Sequence, residues 1–145
     1  MATVERSVFI NATTDEIDAV TLDPWQLPNW YEGVQSVEPD DVYPEPGGVV
    51  KMVYKAGPAT LNITMAALEL ERGNHALYKM EGMMTGTNRW THTPEGNGTW
   101  ITAAFDYELP GGGLGAVADK LVVERINVQN LEKSLENLKR LVEGG

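Results

Sequence analysis

Apolar residues recur at helical spacing near the end of the chain, between Leu114 and Val142. The steps between successive apolar positions are mostly three or four residues, which is the period of one face of an α-helix. Glu124 makes one polar gap in this stripe, and glycines lie on both sides of the segment. The pattern predicts one long helix over Leu114–Val142, which needs a wide apolar partner surface. The stripe consists of Leu114, Val117, Leu121, Val128, Leu131, Leu135, Leu138 and Val142.

Alternating apolar and polar residues in the rest of the chain predict seven strands. They are Thr3–Ile10, Val34–Val42, Val49–Ala56, Thr60–Leu70, His75–Gly82, Met84–Thr93 and Thr99–Leu109. The last six follow one another with short connections, so we expect them to pair as an antiparallel meander. Side-chain alternation places one set of residues on a common apolar face. That set is Met52, Tyr54, Ile63, Met65, Tyr78, Met80, Trp90, Phe105 and Tyr107.

Two short helices are predicted between the first two strands. Thr13 and Glu16 have the spacing of a capping box, in which each residue caps a backbone N–H of the other. Asp23 followed by Pro24 suits the N-cap and first position of a second helix, which ends near Trp30.

These elements predict an α+β fold. A seven-stranded curved antiparallel sheet carries two short helices after its first strand, and the long C-terminal helix lies across its concave face. A helix over a curved sheet leaves space between the two, and we expect a ligand-binding cavity there. Four small residues on the inward face should widen that space, namely Ala67, Ala76, Gly86 and Ala103.

Composition narrows the class of protein. A chain of 145 residues predicts a single ligand-binding domain over residues 1–145. The net charge of −10 disfavours nucleic acid and anionic membranes as partners. The absence of cysteine excludes thiolate chemistry, and no apolar run predicts stable membrane insertion. We therefore expect a cytoplasmic monomer or weak homodimer.

Two histidines are the first candidates for chemistry. His92 shares the inward side of its strand with Trp90 and is a weak candidate for a catalytic base, the alternative being a solvated residue at the strand end. His75 follows a turn and should be exposed. Their spacing, with no clustered carboxylates, predicts no metal site, and we expect no cofactor.

Inward aromatic and methionine residues are a stronger signal. Plain core packing fits most of these residues taken one by one. Buried tyrosine hydroxyls need hydrogen-bond partners, however, and methionine adapts to varied ligands, so the set as a whole favours a cavity. Asn88 and Arg125 are candidates for polar contacts, although Arg125 also fits a surface position. The predicted ligand-binding residues are Trp30, Met52, Tyr54, Ile63, Met65, Tyr78, Met80, Asn88, Trp90, Ala103, Phe105, Tyr107, Val117, Leu121 and Arg125.

Four short segments carry a family resemblance. They are Ile10–Ile17, Asp23–Trp30, Gly98-Thr99 and Tyr107–Pro110. With the order of elements around them, they resemble the START-related lipid-binding superfamily, which has the helix-grip fold. The resemblance covers nearly the whole chain. This superfamily includes birch-pollen-allergen-like, polyketide cyclase/dehydratase and coenzyme Q-binding proteins, so the resemblance implies the fold more than the chemistry.

Three functions remain open. The first is binding of a small, largely apolar ligand, such as a lipid, polyketide or quinone, between the sheet and the C-terminal helix. The second is a polyketide cyclase/dehydratase-type enzyme in which His92, a tyrosine or Arg125 assists proton transfer. The third is an interaction protein with a filled core. A polar dyad deep in the cavity would favour the enzyme, and the cavity volume separates the third function from the others.

Overall fold

A computed structural model describes residues 2–109 and 120–144. Its strands are β1 (Ala2–Ile10), β2 (Val34–Pro39), β3 (Val49–Ala56), β4 (Ala59–Glu71), β5 (His75–Gly82), β6 (Thr85–Glu95) and β7 (Gly98–Glu108). Its α-helices are α1 (Thr14–Thr21), α2 (Leu27–Trp30) and α3 (Lys120–Gly144), and a 3₁₀ turn (Pro24–Gln26) leads into α2.

The seven strands form one antiparallel sheet in the order β1-β7-β6-β5-β4-β3-β2. The predicted meander and fold class are confirmed. The second strand ends at Pro39 rather than Val42, because Asp40 turns the chain there. Its carboxylate accepts hydrogen bonds from the backbone N–H groups of Val42, Tyr43 and Val49 at 2.9, 2.8 and 3.0 Å.

Register places the predicted apolar face on the concave side of the sheet, where all nine of its residues are buried or half-buried. A bulge between Ala67 and Glu69 in β4 changes the alternation locally. Leu68 is therefore turned outward and is 45% exposed, while Leu70 packs against the core.

The caps predicted for the short helices are present. The Thr13 hydroxyl accepts from the Glu16 N–H, and the Glu16 carboxylate accepts from the Thr13 N–H, both at 3.2 Å. Asp23 caps the 3₁₀ turn by accepting from the Trp25 N–H. These local bonds fix where the chain turns between β1 and β2.

Helix α3 buries a face that differs from the predicted one in its first half. Leu135 and Leu138 are buried as predicted, and Val128 is half-buried. Leu121, however, is 68% exposed, so its predicted burial is wrong. Val123 is buried instead, and the two positions lie about 200° apart around a helix of 3.6 residues per turn. The predicted helical residues Leu114–Asp119 lie outside the described ranges. The buried face of α3 consists of Val123, Asn127, Leu131, Ser134, Leu135 and Leu138.

Polar side chains of α3 form hydrogen bonds with backbone groups near both edges of the sheet, in β1 and in the segment that leads from α2 into β2. Lys139 donates to the carbonyl oxygen of Phe9 in β1 at 2.6 Å. On the other side, Asn137 donates to the carbonyl oxygen of Trp30 at 3.1 Å, and the Ser134 hydroxyl accepts from the N–H of Glu32 at 2.8 Å. The helix therefore lies across the concave face.

Among the helices in the described ranges, none is both long and apolar enough to span a membrane.

Replacing Leu135 with Ala should lower the free energy of unfolding by about 2–5 kcal/mol, because it removes a buried side chain from the contact between α3 and the sheet. Leu121→Ala, on the exposed side of the same helix, should change it by less than about 0.5 kcal/mol. Urea unfolding of both variants measures the difference, and equal losses would contradict the assigned face.

Candidate functional site

A cavity of about 80 Å³ lies between the concave face of the sheet, the short helices and α3. Most of its wall is apolar. Eleven of the predicted ligand-binding residues lie on this wall, which places them together without testing whether they bind a ligand. They are Trp30, Met52, Tyr54, Ile63, Met65, Tyr78, Met80, Asn88, Trp90, Phe105 and Tyr107.

The other predicted site residues are placed elsewhere. Arg125 and Leu121 are exposed, because the first half of α3 is rotated relative to the predicted stripe. Ala103 is fully buried opposite Trp90 in the sheet but does not line the cavity. Val117 lies outside the described residues.

Gly86 was expected to widen the cavity, but its small size serves another purpose. Its φ of +135° is rarely adopted by other residues, and a Cβ there would overlap the carbonyl oxygen of Asp106 in β7. Glycine at this position therefore permits close approach of β6 and β7. Ala76 does line the cavity.

Edge-to-face aromatic rings form the centre of the wall. Trp90 contacts Trp30, Phe105 and Tyr31, with ring centroids 5.7, 6.1 and 6.4 Å apart. The Trp90 Nε1–H donates to the Asn88 side chain at 3.0 Å. In contrast, Nε1 of Trp30 is buried and has no hydrogen-bond partner within the described ranges.

A buried hydrogen-bond network lies where α3 crosses the sheet. The Tyr54 hydroxyl donates to the Asn127 side-chain oxygen at 2.8 Å and accepts from the Asn130 amide at 3.0 Å. The Asn127 amide donates to the Tyr107 hydroxyl at 3.2 Å, which leaves the Tyr107 proton available for another acceptor. Burial raises the pKa of both tyrosines, so their hydroxyls stay protonated and act as donors.

A second polar group lies beside α1. His92 Nδ1 is 3.6 Å from Asp18 Oδ1, and the side chains are only 8% and 11% exposed. This distance is too long for a hydrogen bond, and Nδ1 has no such partner in residues 2–109 or 120–144. Burial lowers the pKa of His92 below 6.5, and the Asp18 charge offsets part of that shift. His92 is therefore a buried neutral base rather than a solvated residue.

Two tyrosines adjoin this pair on the cavity wall. The rings of Tyr43 and Tyr78 stack with their centroids 5.8 Å apart, and burial raises the pKa of both hydroxyls. Burial raises the pKa of Tyr78 to about 12. Both hydroxyls therefore remain protonated at any physiological pH.

His75 is half-buried on the cavity wall, which corrects its predicted exposure. Its ring nitrogens lie 2.9 Å from the Asn74 side-chain oxygen and 3.1 Å from Glu69, and these partners hold it at the start of β5. Within the described part of the chain, no group of three or more potential ligands could hold a metal ion.

The two polar groups lie at opposite ends of the concave face. Tyr107 pairs with Gly86 in β6, and His92 lies six residues further along the same strand. At about 3.3 Å per residue, the two positions are roughly 20 Å apart along the strand. Ring surface from Trp90 and its neighbours lies between them.

Sequence reasoning missed several wall residues. Tyr43 lies in the turn between β2 and β3 rather than in a periodic strand. Asp18 lies in α1, and the acidic residues around it give no local signal for a place on the cavity wall. Asn127 had a usable signal, because it lies four residues from both Val123 and Leu131. A polar residue in such a stripe indicates a buried hydrogen bond.

The sequence matches one protein family over residues 1–143, and this family is described as polyketide cyclase / dehydrase and lipid transport. No curated protein shows a significant match.

Solved structures show the same fold. A protein of Thermus thermophilus has a TM-score of 0.80 and 23% identity, with 97% of each chain covered. A START superfamily protein from Mycobacterium smegmatis has a TM-score of 0.79 and 15% identity, over 98% of this chain and 97% of that one. The Zhui aromatase/cyclase of a Streptomyces species has a TM-score of 0.78 and 15% identity, over 98% of this chain and 93% of that one.

Replacing Asn127 with Leu should lower the free energy of unfolding by about 1–3 kcal/mol, because it removes the acceptor of the buried Tyr54 hydroxyl and the donor to Tyr107. Tyr107→Phe should cost less in the Asn127→Leu background than in the unmodified protein. A double-mutant cycle measures this coupling, and strictly additive losses would show that the two side chains do not interact.

Stability should fall as the pH drops below 6.5, in part because of His92. Its pKa is lowered in the folded protein, so the unfolded chain binds the proton more tightly and protonation favours unfolding. In His92→Gln this part of the pH dependence should disappear, while His75→Gln serves as the control. Urea unfolding across this range measures the slope, and an unchanged slope in His92→Gln would contradict the assignment.

Proposed function

Because the chain belongs to the polyketide cyclase / dehydrase and lipid transport family, within the START-related superfamily, we propose that it binds a small, largely apolar molecule in the cavity beneath α3. The ligand classes that we propose are lipids, polyketides and quinones. The main support is the buried Nε1 of Trp30, which has no hydrogen-bond partner within the described ranges and belongs to a residue of an apolar wall.

An unpaired indole N–H favours a ligand with an acceptor oxygen. The indole nitrogen can only donate, and leaving such a donor buried without a partner costs about 1–3 kcal/mol. A ligand carbonyl at this point would recover that energy. The rings of Trp90, Tyr31 and Phe105 nearby offer apolar surface for the rest of the molecule.

Tyr107 offers a second donor to an acceptor group. Its hydroxyl accepts from Asn127 and keeps its own proton, which the raised pKa retains at physiological pH. The network to Tyr54 and Asn130 fixes the orientation of Asn127. A carbonyl at the α3 end of the cavity would therefore meet an oriented donor at little entropic cost.

The size of the cavity requires that its wall adapts to a ligand. A volume of about 80 Å³ holds roughly five water molecules, whereas ligand pockets usually have about 300–1,000 Å³. Four methionines on the wall can change rotamer to make room. They are Met52, Met65, Met80 and Met84.

Burial of apolar surface supplies the affinity. Removing a few hundred Å² from water yields about 25 cal/mol per Å², before the costs of association. That gain supports binding at about micromolar strength.

Polyketide cyclisation is the second candidate, and Tyr107 with Asn127 is the observation in its favour. In an aldol cyclisation a carbon loses a proton to a base and attacks a carbonyl carbon, whose oxygen becomes negative and takes up a proton. The Tyr107 hydroxyl could supply that proton. The backbone positions of Tyr107 and His92 are roughly 20 Å apart along the strands, so we do not expect the two side chains to meet at one forming carbon–carbon bond. Binding is therefore the better supported function.

A filled-core interaction protein is the third candidate, and the small cavity of about 80 Å³ is the observation in its favour, whereas the buried polar atoms count against it. A core without a ligand would be expected to satisfy or omit its buried polar atoms. Here Trp30 Nε1 and His92 Nδ1 both lack partners in the described residues, and both side chains line the cavity.

Titration with flavonoids, sterols, fatty acids and quinones, followed by tryptophan fluorescence, tests the proposal. We expect at least one class to bind with about micromolar affinity and to change the emission of Trp30 and Trp90, which line the cavity. Ala76→Leu should weaken that binding by tenfold or more, because the larger side chain enters the cavity.

Ala104→Leu is the matched control. It makes the same change on the sheet at a half-buried residue that does not line the cavity, and it should bind like the unmodified protein. Thermal unfolding verifies that both variants fold. Absence of binding by the whole panel would overturn the proposal, as would equal affinities for the two variants.

A further inference from the structure

We propose that Asp18 and His92 form a hydroxyl-binding subsite at the α1 end of the cavity, so that the ligand carries an alcohol or phenol group there. This inference rests on the proposed function and specifies the ligand class of the same cavity. Both residues line the cavity wall, and they come from different elements, α1 and β6.

The first step is the orientation of Asp18. Its Oδ2 accepts a hydrogen bond from the backbone N–H of Gly73 at 2.7 Å. This bond holds the carboxylate so that Oδ1 lies 3.6 Å from Nδ1 of His92. The carboxylate oxygen that faces the imidazole is therefore the one left free by the backbone.

The second step is the protonation of His92. A neutral imidazole carries its proton on one of two nitrogens. A carboxylate beside Nδ1 favours the form with the proton on Nδ1, because the alternative sets a lone pair against a negative charge. The pair then presents one donor, Nδ1–H, and one acceptor, Oδ1, too far apart to satisfy each other.

A hydroxyl group complements this arrangement. An oxygen about 2.8 Å from both atoms can accept from Nδ1–H and donate its own proton to Oδ1. A ketone or ether can only accept, and an ammonium can only donate. The hydroxyl therefore completes both hydrogen bonds, one of them to a charged acceptor, which is the stronger kind.

Neighbouring titratable groups on the wall are already engaged. The rings of Tyr43 and Tyr78 stack on each other, and burial raises the pKa of both hydroxyls, so they stay protonated. His75 is held by Asn74 at Nδ1 and by Glu69 at Nε2, and a Glu71 carboxylate oxygen lies 3.8 Å from Nδ1. Unlike them, His92 Nδ1 is buried and without a partner among residues that the structure describes, so it is the atom that a ligand would satisfy.

Calorimetric titration with 4-hydroxychalcone and 4-methoxychalcone tests the subsite. The two probes share an apolar body and a carbonyl, and only the first has a hydroxyl proton to donate. The unmodified protein should bind 4-hydroxychalcone about tenfold more tightly.

Asp18→Asn should abolish that preference. The Asn oxygen can still accept from Gly73, which turns its NH₂ group towards His92, where it occupies the imidazole and removes the acceptor. Asp15→Asn is the matched control, because it removes the same charge from an exposed position of the same helix. It should keep the preference.

Nitrogen-15 NMR of the unmodified protein gives a readout that does not depend on how the variants fold. The free protein should show His92 with its proton on Nδ1, and 4-hydroxychalcone should shift that nitrogen more than 4-methoxychalcone does. A proton on Nε2, or equal shifts, would overturn the subsite.

The outcomes separate this inference from the proposed function. Equal affinity for both chalcones, or a preference that survives in Asp18→Asn, overturns the subsite and leaves the binding function intact. Failure of both chalcones with a protein that binds other compounds of the panel also overturns it. If no compound binds at all, the proposed function fails and the subsite fails with it.

Discussion

The position of α3 depends on polar bonds to backbone groups outside the helix. An amphipathic helix packed on a sheet by apolar contacts alone can slide or rotate, since such contacts have no direction. Here Lys139 bonds a carbonyl of β1, while Asn137 and Ser134 bond the backbone at the end of α2 and just after it. These bonds set the helix across the concave face, and the cavity exists because the helix is held there.

The overall fold could be predicted from the sequence because its signals are local. Strand limits such as Val49–Ala56 and His75–Gly82 follow from alternation and turn residues, and both agree with the structure. The capping box at Thr13 depends only on residues nearby. The rotation of α3 could not be predicted in the same way. Leu121 and Val123 are both apolar, and the choice between them depends on Asn127 meeting two tyrosines far away in sequence.

The candidate site was predictable on the strands and less so elsewhere. Side-chain alternation placed Tyr78, Trp90 and Tyr107 on the cavity wall, because successive residues of a strand point to opposite faces of the sheet. Asp18 could not be assigned from sequence, since its place beside His92 depends on the hydrogen bond that it accepts from Gly73, in the distant turn between β4 and β5. Ala103 shows what side-chain alternation cannot predict. It lies on the expected side of β7 and is fully buried, yet it does not line the cavity, and side-chain alternation alone cannot separate these two outcomes.

The pairing of β1 with β7 has a consequence for synthesis on the ribosome. Partners in this pair are between 89 and 105 positions apart, from Ile10 with Thr99 to Ala2 with Tyr107. The first strand to leave the ribosome therefore waits for the last one, and the entropy of closing this long loop is lost before the contacts form. Until then both edges of β1 are unpaired and open to other chains, whereas one of them is paired in the finished sheet. The charged residues Glu5 and Arg6, both exposed in the middle of β1, suit a strand that must stay soluble while its neighbour is still being made.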